Sequence, residues 1–144
     1  MASTLNEGHQ EFKIPTSEVI LERIDGWELE LKYFSKEELQ TFLNNFYEVI
    51  KVILSEFQSH KQYLVVKVDR VNRSKSNLIQ NRVFDALEKE NEMYLEQARN
   101  MFEPFQELET SNVLPVSIKQ YLYREQWQLI DWMQHEIEQI MISK

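Results

Sequence analysis

Two histidines each follow an acid by four residues, at Glu56–His60 and Asp131–His135. On a helix that spacing brings both side chains to one face, where a carboxylate and an imidazole can share a divalent metal. A metal inside a helical bundle needs inward ligands, however. Asp131 and His135 fall on the polar side of a segment whose apolar positions include Leu122, Leu129 and Met133, and His60 sits at the edge of its apolar face. Solvated ion pairs are the expectation here, with no metal and no other cofactor. The third histidine, His9, belongs to a polar N-terminal stretch.

No Gly-rich phosphate loop, GxSxG, HExxH or ExxH pattern occurs in the chain, so the common phosphate, nucleophile and metal motifs are missing. Adjacent acids such as Glu37 and Glu38 diverge on a helix and suit a solvated face better than paired acid–base work. Ser35 and Ser76 stand where helices begin and have a capping role to fill. The chain is therefore expected not to be an enzyme.

Residues 61–82 raise a different question. They carry Lys61, Lys67, Arg70, Arg73, Lys75 and Arg82 against the single acid Asp69, in a chain of net charge −8. Cations near a helix C-terminus complement its dipole, which gives part of this cluster a local reason. Lys67, Arg70, Arg73, Lys75 and Arg82 form the remaining basic patch. Nucleic acid is the lesser expectation for it, because only Tyr63 is available for stacking and the rest of the surface repels phosphate. An acidic protein surface fits better.

The elements that must position these residues are long. The 144 residues include only two glycines and three prolines, with 42% hydrophobic and 28% charged residues, a soluble globular balance with little turn chemistry. There is no cysteine, which removes disulfides and thiolate sites and agrees with a reducing compartment. No apolar run approaches the ~18–20 residues that span a bilayer, and the opening "MASTLNEGHQEF" lacks the regions of a signal peptide. A cytoplasmic location without a membrane partner is expected.

Residues 1–15 read as a flexible tail, with Phe12 and Ile14 able to dock on the body, and 16–144 as one helical domain. Asp25-Gly26 is a type I′ turn dipeptide, and Trp27, Leu29, Leu31 and Tyr33 alternate with charged residues, so a β-hairpin is predicted over about 18–34. "SKEEL" opens a helix with a capping box at Ser35 and Glu38. Apolar positions from Leu39 to Phe57 keep one helical phase, and Leu64, Val68 and Val71 stay within it. This favours a helix over 36–72 despite the strand-like "YLVVKV". A second helix is predicted over 77–103, ending where Pro104 clashes with the carbonyl four residues back, and "ETSNVLPVS" as a loop. A third helix is predicted over 116–142. The expected fold is mainly α: an antiparallel bundle of three to four long helices preceded by a small β-hairpin.

Two features of the helices bear on partners. Asn91 falls inside the apolar stripe of 77–103, where it either sets register or oligomeric state, or lies at the stripe's edge or against a water. The last helix has an apolar arc of about 200°, twice that of a surface helix, with Trp127 outside even that arc. Trp127, Tyr123, Trp132 and Trp27 are accordingly the candidate partner-binding residues. The function expected is a small non-enzymatic regulator, adaptor or accessory protein that binds a protein partner or itself as a homodimer. The alternative is a nucleic-acid-associated regulator using the basic 61–82 segment.

Overall fold

Thr16 sets the first helix. Its hydroxyl oxygen accepts from the Val19 N–H at 3.3 Å, satisfying one of the orphan donors of the first turn. In the computed structural model, which describes residues 12–110 and 113–142, α1 then runs Ser17–Trp27 and passes into a 3-10 turn at Glu28–Glu30. The tail expected at 1–15 lies outside the described residues up to residue 11. Beyond it, Phe12 and Ile14 pack against the core.

The predicted β-hairpin is absent: no strand occurs among the described residues, and Asp25-Gly26 lies inside α1. Two signals competed for this segment. The alternation of Trp27, Leu29, Leu31 and Tyr33 would bury every second side chain, yet Leu29 is 99% exposed. Ile20, Ile24 and Trp27, spaced four and three apart, form instead a helical stripe that packs into the core. A helix completes its hydrogen bonds within the segment, whereas a two-stranded hairpin leaves two edges open. Neither turn residue adopts the positive φ that a type I′ turn demands. Asp25 spends its carboxylate on Lys36 at the start of the next helix, and the Ser117 hydroxyl donates to Glu30 at 3.2 Å, tying the 3-10 turn to the last helix.

Ser35 and Glu38 close a reciprocal capping box, each side chain accepting from the other's backbone N–H at 3.1 Å. From there α2 runs unbroken over Lys36–Asn72, 37 residues. The β-branched "YLVVKV" is drawn into the helix because Leu64, Val68 and Val71 continue the buried stripe begun at Leu39. Helix α3 spans Asn77–Asn100 and is capped by the Ser76 side chain. A short α4 follows at Glu103–Thr110, so Glu109 and Thr110, expected in a loop, are helical. Pro104 falls in the first turn of α4, where its missing N–H costs nothing. The last helix, α5, spans Val116–Met141.

Contacts between named residues fix the packing directions. Phe57 meets Tyr94 and Phe46 meets Phe102, so α3 runs antiparallel to α2. Tyr47 meets Tyr121, Phe57 meets Trp132 and Lys61 meets Glu136, so α5 runs parallel to α2 in nearly constant register. The turn from α3 into α4 is held by an aromatic cluster. Phe46 lies 5.5 Å from Phe102 and 5.4 Å from Phe105, and Phe42 lies 5.4 Å from Phe105, ring centre to ring centre. Such pairs contribute ~0.5–1.5 kcal/mol each beyond the area they bury.

Gly26 offers a direct check on the helical N-terminus, because a Cβ built there meets nothing within 4 Å. Gly26→Ala is expected to stabilise the fold by a few tenths to about 1 kcal/mol in urea denaturation, as glycine is costly in a helix. A type I′ hairpin turn would give the opposite sign.

Candidate functional site

Helix α5 touches both long neighbours, and its core side chains include Ile118, Leu122, Leu129, Met133 and Ile137. Residues on its remaining face meet the junction of α3 and α4. There Tyr123 and Trp127, four apart and so on one face, border a cleft of ≈ 470 Å³. They are 66% and 59% exposed. The buried side chains of Ile130 from α5 and Phe102 from the α3–α4 junction line the same cleft. Its polar groups are Arg99, Gln106, Gln126, Asp131 and Gln134. Arg99 also holds Glu96 at 3.1 Å one turn earlier.

Of the four aromatic residues singled out from the sequence, the structure brings Tyr123 and Trp127 together and directs the other two elsewhere. Trp132 is half-buried against Phe57 at 5.5 Å and Phe12 at 6.1 Å. Trp27 sits edge-on to Tyr121 at 5.2 Å. The cleft's other walls were missed by sequence reasoning. Arg99, Phe102 and Gln106 come from a different part of the chain, and only the register of α3 against α5 puts them opposite Trp127. Asp131 is in the cleft, whereas its presumed pair His135 is simply exposed.

Three polar clusters lie inside the bundle. In the first, the Tyr47 hydroxyl donates to Glu125 Oε1 at 2.9 Å and pairs with the Tyr121 hydroxyl. The Arg23 guanidinium stands 5.0 Å from the centre of the Tyr121 ring. Burial, then the Tyr121 hydrogen bond and the charge of Glu125, push the Tyr47 phenol well above its ordinary range. Burial chiefly moves Tyr121 the same way.

The second cluster is an ion pair, Lys61 to Glu136 at 3.3 Å, with only 5% of the Glu136 side chain exposed. The Lys61 ammonium also lies 5.2 Å from the Phe57 ring centre and 5.3 Å from that of Trp132. These two ring faces replace part of its lost hydration. One cation of the basic segment is thus internal.

In the third cluster His60 stacks flat on Tyr94, centres 4.0 Å apart, and its Nε2 is 2.9 Å from Asn91 Oδ1. Burial, then the charge of Glu56, raises the Tyr94 phenol to about 12. Asn91 is buried, not at the edge of its stripe, and its side-chain partner is within the same chain. Asn91 Nδ2 has no hydrogen-bond partner. Among the described residues no group of three or more His, Asp or Glu side chains could hold a metal ion, and no helix is long and apolar enough to cross a membrane.

The five residues of the basic patch lie at and around the α2–α3 connection. Lys67 stands over the Tyr63 ring at 5.7 Å, and Arg73 pairs with Asp69 at 3.1 Å. Arg70, Lys75 and Arg82 are exposed. No family model, curated protein or solved structure matches this chain.

Two predictions follow from the interior. Lys61→Met leaves Glu136 buried and unpaired, and is expected to cost about 3 kcal/mol in urea denaturation. Adding Glu136→Leu should recover most of that loss, and a strictly additive double variant would refute the pairing. The buried phenols stay protonated in the folded state while unfolded tyrosine ionises near 10. Their contribution is therefore complete below about pH 10 and is lost as pH rises beyond it. Denaturation midpoints should fall above pH 10, and Tyr47→Phe should flatten that fall.

Proposed function

We propose that this protein is a small non-enzymatic binding module, a regulator, adaptor or accessory protein, that docks a protein partner or a second copy of itself in the cleft between the α3–α4 junction and α5. One observation carries the reading. Tyr123 and Trp127 are held more than half exposed beside a cleft lined by buried Phe102 and Ile130. Large aromatics gain free energy by leaving water, and protein interfaces concentrate them at their centres inside a polar rim.

The rim supports the same reading. Three glutamines, Arg99 and Asp131 supply donors and acceptors, and the lining includes no serine, cysteine or histidine. The alternative, a nucleic-acid-associated regulator, draws on the basic patch. It has less support, since Lys67 and Arg73 have company within the chain and the cleft itself is not basic.

Truncation at a central aromatic of an interface typically costs ~2 kcal/mol, roughly 30-fold in affinity. Trp127→Ala and Tyr123→Ala are each expected to weaken association to about that degree with the far-UV circular dichroism unchanged. Light scattering over a concentration series reads self-association, and titration with a purified partner reads the other case. Association indifferent to both truncations would rule out the cleft.

A further inference from the structure

The register of α5 on α2 has a geometric consequence at the opposite end of α3 from the cleft. With Glu136 level with Lys61, the last residue of α5, Met141, comes level with Val66. Helix α2 continues to Asn72 before α3 begins at Asn77. At ~1.5 Å per residue the α2–α3 hairpin thus projects about 9 Å beyond the end of α5.

This tip is rigidly built. The Gln80 side-chain amide donates to Ser74 O at 2.8 Å and to Val71 O at 3.1 Å, closing the connection from below. Ser76 Oγ accepts from the Ile79 N–H at 3.3 Å and fixes the first turn of α3. Held in that turn, Leu78 and Ile79 are 62% and 53% exposed. Four cations surround them: Arg70 and Arg73 at the end of α2, Lys75 in the connection, and Arg82 one turn into α3. Residues 70–84 contain no acid.

We propose that the α2–α3 tip is a peripheral docking site for an anionic lipid surface. Neighbouring residues on a helix diverge by about 100°, so one groove in a rigid partner does not take both Leu78 and Ile79. A fluid surface met end-on takes both, with the aliphatic side chains at the acyl boundary and the cations among the headgroups. Of the aromatic residues flanking the tip, Phe84 packs against the core and Tyr63 lies about 15 Å back along α2 with its hydroxyl on Glu90, so the tip itself offers no stacking platform for bases. The acids nearest the tip do not cancel it: Asp69 pairs with Arg73, which leaves Arg70, Lys75 and Arg82 against exposed Asp85 one turn beyond Arg82, and the acids farther along the bundle are screened over a Debye length of ~8 Å. A peripheral contact needs no spanning segment, so the shortness of the apolar runs does not bear on it. The site is separate from the aromatic cleft and stands without it.

The test is co-sedimentation of the full chain with vesicles of phosphatidylcholine alone and with about 30% phosphatidylserine, at about 0.1 M and 0.5 M salt. Binding is expected only to the anionic vesicles and only at the lower salt. Each cation near a membrane surface is worth roughly five-fold in partitioning, so Arg70→Gln with Arg82→Gln should lower it about 25-fold. Leu78→Ser with Ile79→Ser should lower it as well, with circular dichroism unchanged in both variants. Failure to bind anionic vesicles would overturn the proposal. So would binding that the serine variant leaves intact, or that single-stranded RNA or polyglutamate matches with the same indifference to that variant, since a polyanion site needs no aliphatic tip.

Discussion

A helix of 37 residues is not held by intrinsic propensity; it persists because one face is removed from water along its whole length. That face is the stripe from Leu39 to Val71 on α2, and every other element is placed by it. Helix α1 packs on it through Ile20 and Ile24, α3 meets it along its middle and far end, and α5 runs beside it in parallel. The stripe keeps its phase through "YLVVKV", where isolated residues would choose a strand. Burial of Leu64, Val68 and Val71, at ~1.5–3 kcal/mol for a full side chain, outweighs a β preference that spans ~1 kcal/mol.

The interior around this spine is not wholly apolar. Tyr47 with Tyr121 and Glu125, Lys61 with Glu136, and His60 with Asn91 each join two helices through polar side chains. Such pairs contribute little net stability against apolar replacements, but a displaced register leaves a charge or an amide buried without a partner. They therefore discriminate between registers of α3 and α5 that a uniform Leu–Ile stripe would accept about equally. The two exposed features follow from the register so chosen. The cleft opens where α3 gives way to α4 opposite Trp127, and the basic tip projects where α5 stops short of the end of α2.

Much of the helical character was legible because its signals are local. The Ser35–Glu38 capping box, the Ser76 cap and the helix end before Pro104 depend on residues within one or two turns. The hairpin failed for the same reason. Asp25-Gly26 and a short alternation are local turn and strand signals, while the stripe Ile20–Ile24–Trp27 has value only with the α2 surface beneath it. Asn91 shows the limit from the other side. Its place in the apolar stripe could be read from spacing, but the imidazole of His60 that meets it could not.

The sequence by itself determined a chain of long amphipathic helices, an acidic surface with one cationic stretch, and an excess of aromatic and apolar face on the last helix. These are properties of order along the chain, set by residue type and period. Tertiary structure decided which of those aromatics are spent inside and which are left out. Trp132 and Trp27 found rings to pack against, and Tyr123 and Trp127 did not find full cover. The cationic stretch could be read as a corner between two helices from its spacing, and the register of α5 on α2 decided that the corner projects. The reason is the register between helices. A shift of one turn, about 5.4 Å, preserves every local pattern in the sequence yet changes which residues face each other.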